Sequence, residues 1–224
     1  MRTRVKICCI QNRDEARLAI RSGADCIGLV AEMPSGPGPI ADDVIADIAV
    51  DCPPGLSTFL LTSRTDPGAV VEHVIAARTN VVQLVDAVPT ETYDAIRDAC
   101  PAVRIVQVVH VEGGDAVGVA EQAAPHVDAI LLDSGRPNAA VKELGGTGRT
   151  HDWEVSSRVV AGVPVPVYLA GGLSLSNVAE AIETVRPFGV DLCSGVRVAG
   201  ALDADLLREF MSAVRATGSA ADPT

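Results

Sequence analysis

Nowhere in this sequence do 18 consecutive residues run without a polar or charged side chain, the length that an apolar helix needs to cross a bilayer. The opening stretch MRTRVKICC also lacks the longer apolar core of an export signal, so a cytoplasmic protein with no membrane partner is expected. Basic runs are missing as well: 18 Lys and Arg stand against 29 Asp and Glu, for a formal charge of -11. A nucleic-acid-binding face needs clustered cations to displace counterions, so no nucleic-acid partner is expected, and the acidic surface reads as a source of solubility. The six cysteines (Cys8, Cys9, Cys26, Cys52, Cys100 and Cys193) contain no Cys-x-x-Cys pair and no close Cys/His grouping. That spacing argues against a zinc site and against thioredoxin-like chemistry, and in a reducing cytosol all six are thiols.

What is present is alternation. With 224 residues, 48% of them apolar, the chain is long enough for one substantial core, and a single domain over residues 1–215 is expected. The polar residues 216–224 read as a disordered tail. Short β-rich runs (RVKICCI, CIGLVA, STFLLTS, VVQLV, RIVQVVHV, AILLDS, VPVYLAGG and GVDLCSG) alternate with amphipathic stretches from end to end. Nearly continuous apolar strands have both faces covered, and strand-helix alternation implies parallel pairing through right-handed crossovers. Eight such units in a chain of this size predict a (βα)8 TIM barrel, with a doubly wound open sheet as the alternative.

The first unit closes cleanly: Ala16, Leu18 and Ala19 give DEARLAIRSG an apolar stripe and Gly23 supplies the stop. PSGPGPI, residues 34–40, is neither helix nor strand and falls in the loop after the second strand. A second long loop, LDSGRPNAAVKELGGTGRTHDW, follows the sixth strand and has the length of a lid or binding loop.

In a barrel the strand ends and the loops after them form the reactive face. Side chains alternate along a strand, so Lys6 and Cys8 share one face while Ile7 and Cys9 share the other. Apolar Ile7 belongs against the helices, which points Cys8 into the mouth with a lysine below it to favour the thiolate. Cys9 is then a packing thiol, and inert packing is also the ordinary role of a buried cysteine such as Cys8. Asp133 ends the apolar run AILLD. A carboxylate there either caps the following loop or, with its pKa raised by burial, serves as a general acid near neutral pH.

AGGLSLSNVAEAI runs from strand through glycines into helix, and CSGVR follows the eighth strand. Loops after strands seven and eight of a barrel often hold a phosphate, which makes Gly171, Gly172, Cys193, Ser194 and Gly195 the candidates. Gly148 in GGTG could curl its amide around the same anion or hinge a lid. Of the four histidines, only His110 ends a strand; without a partner it reads as structural.

These residues, in this order, resemble the phosphoribosylanthranilate isomerase family over nearly the whole chain. The matching pieces are KIC, SGAD, VQL, LLD, GGTGRTHDW, AGGLSLSNVAEAI and RPFGVDLCSGV. The resemblance implies that Cys8 is the general base and Asp133 the general acid of an Amadori rearrangement in tryptophan biosynthesis, with no metal and no cofactor. The substrate is then a small phosphorylated N-glycoside, and Lys6, Gln83 and Asp191 on the matching strands are candidate contacts to it. A related histidine-pathway isomerase resembles a two-aspartate arrangement instead, so Cys8 favours the tryptophan-pathway relative.

Four departures lie around the expected substrate. PSGPGPI stands where the family carries an Arg-Tyr pair, VQLVD where it has VQLHG, CSGVR where it has SSGVE, and Cys9 where KICG has its glycine. A substrate carboxylate usually takes an arginine fork. Arg64, after strand three, and Arg197, after strand eight, are the candidate replacements. Two alternatives stay open: a paralogue using the same acid and base on another phosphorylated sugar or sugar amine, and a non-catalytic barrel that binds a phosphorylated metabolite.

Overall fold

All eight apolar runs become strands, joined by helices cut to the amphipathic stretches between them. The computed structural model describes residues 2–135, 144 and 150–219. The strands are β1 (Arg4–Ile7), β2 (Cys26–Val30), β3 (Ser57–Thr62), β4 (Val81–Leu84), β5 (Arg104–His110), β6 (Ala129–Asp133), β7 (Val167–Leu169) and β8 (Gly189–Leu192). The helices are α1 (Arg13–Ser22), α2 (Asp42–Asp51), α3 (Pro67–Ala77), α4 (Thr90–Ala99), α5 (Ala116–Ala123), α6 (Trp153–Gly162), α7 (Val178–Val185) and α8 (Ala204–Ser219). β1 to β8 pair in chain order, all parallel, and β8 returns to β1 to close a barrel. The open-sheet alternative is thereby excluded.

Local sequence sets the helix ends. The Asn12 side chain accepts the Glu15 N–H at 2.9 Å to start α1, and Gly23 ends it at φ 94, donating its N–H to the Ala19 and Ile20 carbonyls. Asp66 before Pro67 caps α3, and Asp152 caps α6 by accepting from Glu154 and Val155.

Strand alternation then sorts the side chains into two layers. Ile7, Ile27, Leu60, Val82, Ile105 and Ile130 point outward and are fully buried beneath the helices. Each contributes about 1.5–3 kcal/mol of transfer free energy. The intervening residues fill the barrel, where large and small alternate: a Cβ on Gly189 would sit 2.7 Å from Tyr168 Cε1, so glycine there makes room for the ring.

Two details depart from the expected layout. A small hairpin of β9 (Arg197–Val198) and β10 (Ala201–Leu202) follows the barrel. Residues 216–219, assigned above to a disordered tail, continue α8, because its apolar stripe (Leu207, Phe210, Met211 and Val214) docks the helix firmly; residues 220–224 lie outside the described set. Among the described residues no helix is long and apolar enough to cross a membrane.

Candidate active site

The strand carboxyl ends open on a cavity, and its floor is an ion pair. Lys6 is fully buried and donates to Asp191 Oδ2 at 2.9 Å, while its ammonium lies 5.0 Å from the centroid of the Phe59 ring. Burial alone would lower the Lys6 pKa. No single neighbour matches that effect, but the Asp191 charge, the Cys8 sulfur, the Asp191 hydrogen bond and Cys26 together outweigh it, so the lysine titrates above its ordinary range. Burial raises the Asp191 carboxyl and the ammonium pulls it back. This pairing follows from closure: Lys6 and Asp191 are register partners across the β1–β8 seam.

Cys8 sits one step above Lys6. It is 6% exposed, and its N–H donates to the Leu192 carbonyl at 2.8 Å, extending the seam by one residue. A Cβ on Gly28 of β2 would meet Cys8 Sγ at 2.7 Å and Lys6 Nζ at 3.1 Å, so a glycine at this point of β2 leaves the space that thiol and ammonium share. The cation below Cys8 is therefore already paired, and the thiol faces an ion pair rather than the bare charge read from the sequence.

Asp133 closes β6 on the opposite side of the same cavity. It is 9% exposed, accepts the Ser134 N–H at 2.7 Å and is the register partner of His110. Burial pushes its carboxyl up to about 6; the Ser134 N–H and His110 oppose the shift, Asp191 adds to it, and Lys6 opposes it. A carboxyl with that pKa holds a proton it can give up near neutral pH.

Gln83 and Asp191 also line the cavity, and Gln83 Oε1 and Asp191 Oδ1 are buried acceptors with no partner among the described residues. Such atoms are costly unless something donates to them, and the hydroxyls of a bound polyol are suitable donors.

The loops after β7 and β8 form the adjoining wall. Gly171 and Gly172 hold φ values of 84° and 64°, a left-handed pair that only glycine adopts without strain. Asn177 fastens the turn by donating to the Gly172 carbonyl at 3.0 Å and accepting the Ser174 N–H at 2.8 Å. Gly171, Gly172, Cys193 and Ser194 line the cavity. Gly195 does not; a Cβ there would be 2.2 Å from the Leu173 carbonyl oxygen, so it is the contact that presses the two loops together. Gly148 lies outside the described residues.

Both candidate arginines need correction. Arg64 is turned away from the cavity: it reaches Asp42 Oδ2 at 3.2 Å and the Ala69 carbonyl at 3.3 Å. Asp42 also accepts from His73, which draws the arginine toward α2. Arg197 is buried behind the rim and forks onto both oxygens of Glu15 at 2.9 Å, with further bonds to the Gly200, Cys8 and Cys9 carbonyls. Both terminal nitrogens are spent on the protein, and the remaining donor, Nε, is buried with no partner among the described residues. Met33, Ser35, Gly36 and Pro37 of the loop after β2 line the mouth, and none of these described residues is a cation.

Cys9 overturns the simple alternation rule. It takes φ 60 and turns back into the cavity instead of continuing outward with Ile7. There it joins Cys193 and Cys8 in the cavity lining, and these two neighbouring thiols together with burial raise its pKa. The signal was present in the resemblance, since a family glycine at this position marks a left-handed backbone. His110, read as structural, donates from Nε2 to the Val85 carbonyl at 3.0 Å and borders a neighbouring groove rather than the cavity.

A family model described as N-(5'-phosphoribosyl)anthranilate (PRA) isomerase matches residues 5–213. An N-(5'-phosphoribosyl)anthranilate isomerase of Methanocella arvoryzae is 40% identical over 216 residues, covering 96% of this chain and 99% of the relative. That of Haloferax volcanii is 35% identical over 222 residues, covering 98% and 96%. Among solved structures, phosphoribosyl anthranilate isomerase from Thermotoga maritima superposes with a TM-score of 0.80 at 29% identity, covering 96% of this chain and 99% of that one. A phosphoribosyl anthranilate isomerase in complex with reduced 1-(o-carboxyphenylamino)-1-deoxyribulose 5-phosphate gives 0.77 at 27% identity, with the same coverage.

Proposed function

The chain belongs to the N-(5'-phosphoribosyl)anthranilate isomerase family, and from that premise we propose how its own residues carry the reaction. It is an intramolecular aldose-ketose isomerase of tryptophan biosynthesis; the paralogue and non-catalytic readings are not favoured. Asp133 protonates the furanose ring oxygen of N-(5'-phosphoribosyl)anthranilate, and the ring opens to an iminium. The positive nitrogen acidifies the C2 proton, which the Cys8 thiolate removes. The resulting enolamine ketonises to the 1-deoxyribulose 5-phosphate product.

The observation that supports this assignment is that Cys8 and a protonatable Asp133 stand across one cavity, with unsatisfied Gln83 and Asp191 oxygens between them and the β7–β8 loops beside them. In this reading the sugar hydroxyls satisfy Gln83 and Asp191, and the phosphate lies against Gly171, Gly172 and Ser194. Anchoring at that end presents C2 to the thiol and the ring oxygen to the acid, which is the entropic part of catalysis.

Among the described residues the mouth offers no uncommitted cation to the anthranilate carboxylate. Arg136, Lys142 and Arg149 occur in the stretch of sequence outside that set. We infer a cytoplasmic enzyme acting on a small phosphorylated substrate, and the acid-base chemistry proposed calls for no cofactor. The chain is expected to complement a tryptophan auxotroph lacking this isomerase. Failure of soluble, folded protein to do so would defeat the reading.

A further inference from the structure

The isomerase reaction uses one of the three thiols at this rim, and the other two are left without a role. We propose that Cys9 and Cys193 form a dithiol modification site that a small hydroperoxide oxidises to an intramolecular disulfide, switching the enzyme off.

The geometry rests on three observations. Cys193 follows Leu192, the register partner of Ile7, and the Cys8 N–H donates to the Leu192 carbonyl, so Cys9 and Cys193 stand at the ends of neighbouring, hydrogen-bonded strands. The left-handed Cys9 backbone aims its side chain inward rather than toward α1, and Gly38 packs so close that an added Cβ would lie 2.6 Å from Cys9 Cβ. Both thiols line the open cavity, Cys193 being the less buried of the two, so a molecule that enters the site reaches them.

The electrostatics assign the order of attack. The neighbouring Cys9 thiol lowers the Cys193 thiol below its ordinary value against the opposing effect of burial, and the Arg197 guanidinium helps. The Cys9 thiol is raised by the neighbouring Cys193 and Cys8 thiols and by burial, so it keeps its proton. Cys193 is thus the attacking thiolate and Cys9 the resolving thiol, the pairing that redox-sensitive sites use.

In the first step Cys193 Sγ bonds to one peroxide oxygen, the O–O bond breaks and an alcohol (or water) leaves with a proton, giving a sulfenic acid. In the second, Cys9 Sγ attacks that sulfur, the S–O bond breaks and water leaves. Two thiols and one hydroperoxide become one disulfide, one alcohol and one water; the thiols supply both electrons.

Loss of turnover follows because a disulfide between Cys9 and Cys193 would cross the cavity wall beside Cys8 and pull on the β8 loop, and this consequence alone rests on the reading of Cys8 as the base. The test uses the fully reduced whole chain and stoichiometric hydrogen peroxide, read by intact mass, peptide mapping and turnover. Expected are a loss of two hydrogens in mass, a Cys9–Cys193 peptide link, and activity that falls on the same time course and returns with dithiothreitol. Cys9→Gly, which suits the left-handed backbone and removes no group from the reaction, is expected to keep its basal activity and to be inactivated at least about tenfold more slowly.

Absence of the link, or a Cys8–Cys9 link in its place, overturns the site. A Cys9–Cys193 link with unchanged turnover, or equal inactivation of Cys9→Gly, overturns the switch. Should the reduced protein show no isomerase activity at all, the mass and peptide measurements still decide the dithiol site, which separates its failure from that of the functional assignment.

Discussion

Two buried ion pairs flank Cys8, and they have opposite uses. Lys6–Asp191 lies inside the barrel, and its carboxylate keeps one oxygen without a partner toward the cavity residues. Arg197–Glu15 lies behind the rim, where Glu15 also accepts from the Gln11 and Leu202 amides and the guanidinium covers the Cys8 and Cys9 carbonyls. The first pair leaves capacity for a ligand. The second spends both carboxylate oxygens and both terminal guanidinium nitrogens on protein groups, only the buried Nε of Arg197, a residue outside the cavity lining, being left over, and it ties α1 to the end of β1. A cation near an active site is thus not a binding residue unless its donors are left over.

The sharpest way to break this comparison begins at the groups placed above the inner pair. Cys8→Ala and Asp133→Asn are each expected to lower kcat/KM by about 10³-fold or more, within the range of general acid-base catalysis, in steady-state turnover of N-(5'-phosphoribosyl)anthranilate. Activity within tenfold of the parent in either variant removes that residue from the mechanism.

Next come the pairs themselves. Lys6→Met leaves Asp191 buried and unpaired and is expected to cost about 3–5 kcal/mol in denaturant unfolding, with loss of turnover. Arg197→Met is expected to cost less, about 2–3 kcal/mol, since Glu15 retains two backbone donors, and to leave KM unchanged. A tenfold rise in KM at unaltered stability would make Arg197 a substrate residue and collapse the distinction drawn above.

A smaller effect distinguishes Asp133 by pH. Its native pKa, about 6, lies above the ordinary carboxyl value of 3.8, so the native state holds the proton more tightly than the unfolded chain. That contribution is fully present below about pH 3.8 and is lost as pH rises through 6. Asp133→Asn should therefore gain stability relative to the parent between pH 4 and pH 7, by up to about 3 kcal/mol. In the parent, kcat/KM should fall above pH 6 as the acid ionises. A pH-independent stability difference would show that burial does not raise this carboxyl. The smallest effect is expected for Arg64→Ala: the exposed pair with Asp42 contributes about 0–1 kcal/mol, and KM should not change.

Much of this arrangement was legible before any coordinates. Period-two alternation in RVKIC placed Ile7 under the helices and Cys8 in the mouth, and the apolar run ending at Asp133 put a carboxylate at a strand end. Asn12 and Gly23 marked both ends of α1. The same alternation failed at Cys9, because a positive φ ends the strand geometry one residue sooner than a pattern of apolar residues reveals. Arg64 and Arg197 were found in the right loops but could not be aimed, since their partners Asp42 and Glu15 come from other units.

By itself the sequence determined the number and order of βα units, the layer to which most strand residues belong, and the strand ends at which Cys8 and Asp133 stand. Those properties follow from hydrophobic period and backbone sterics, which act over a few residues. Only the closed tertiary structure decided that Lys6 meets Asp191, that Arg197 is consumed by Glu15, and that Cys8, Cys9 and Cys193 share one rim. Each of these depends on the register across the β1–β8 seam and the loops beside it, joining residues from opposite ends of the chain that no local preference brings together.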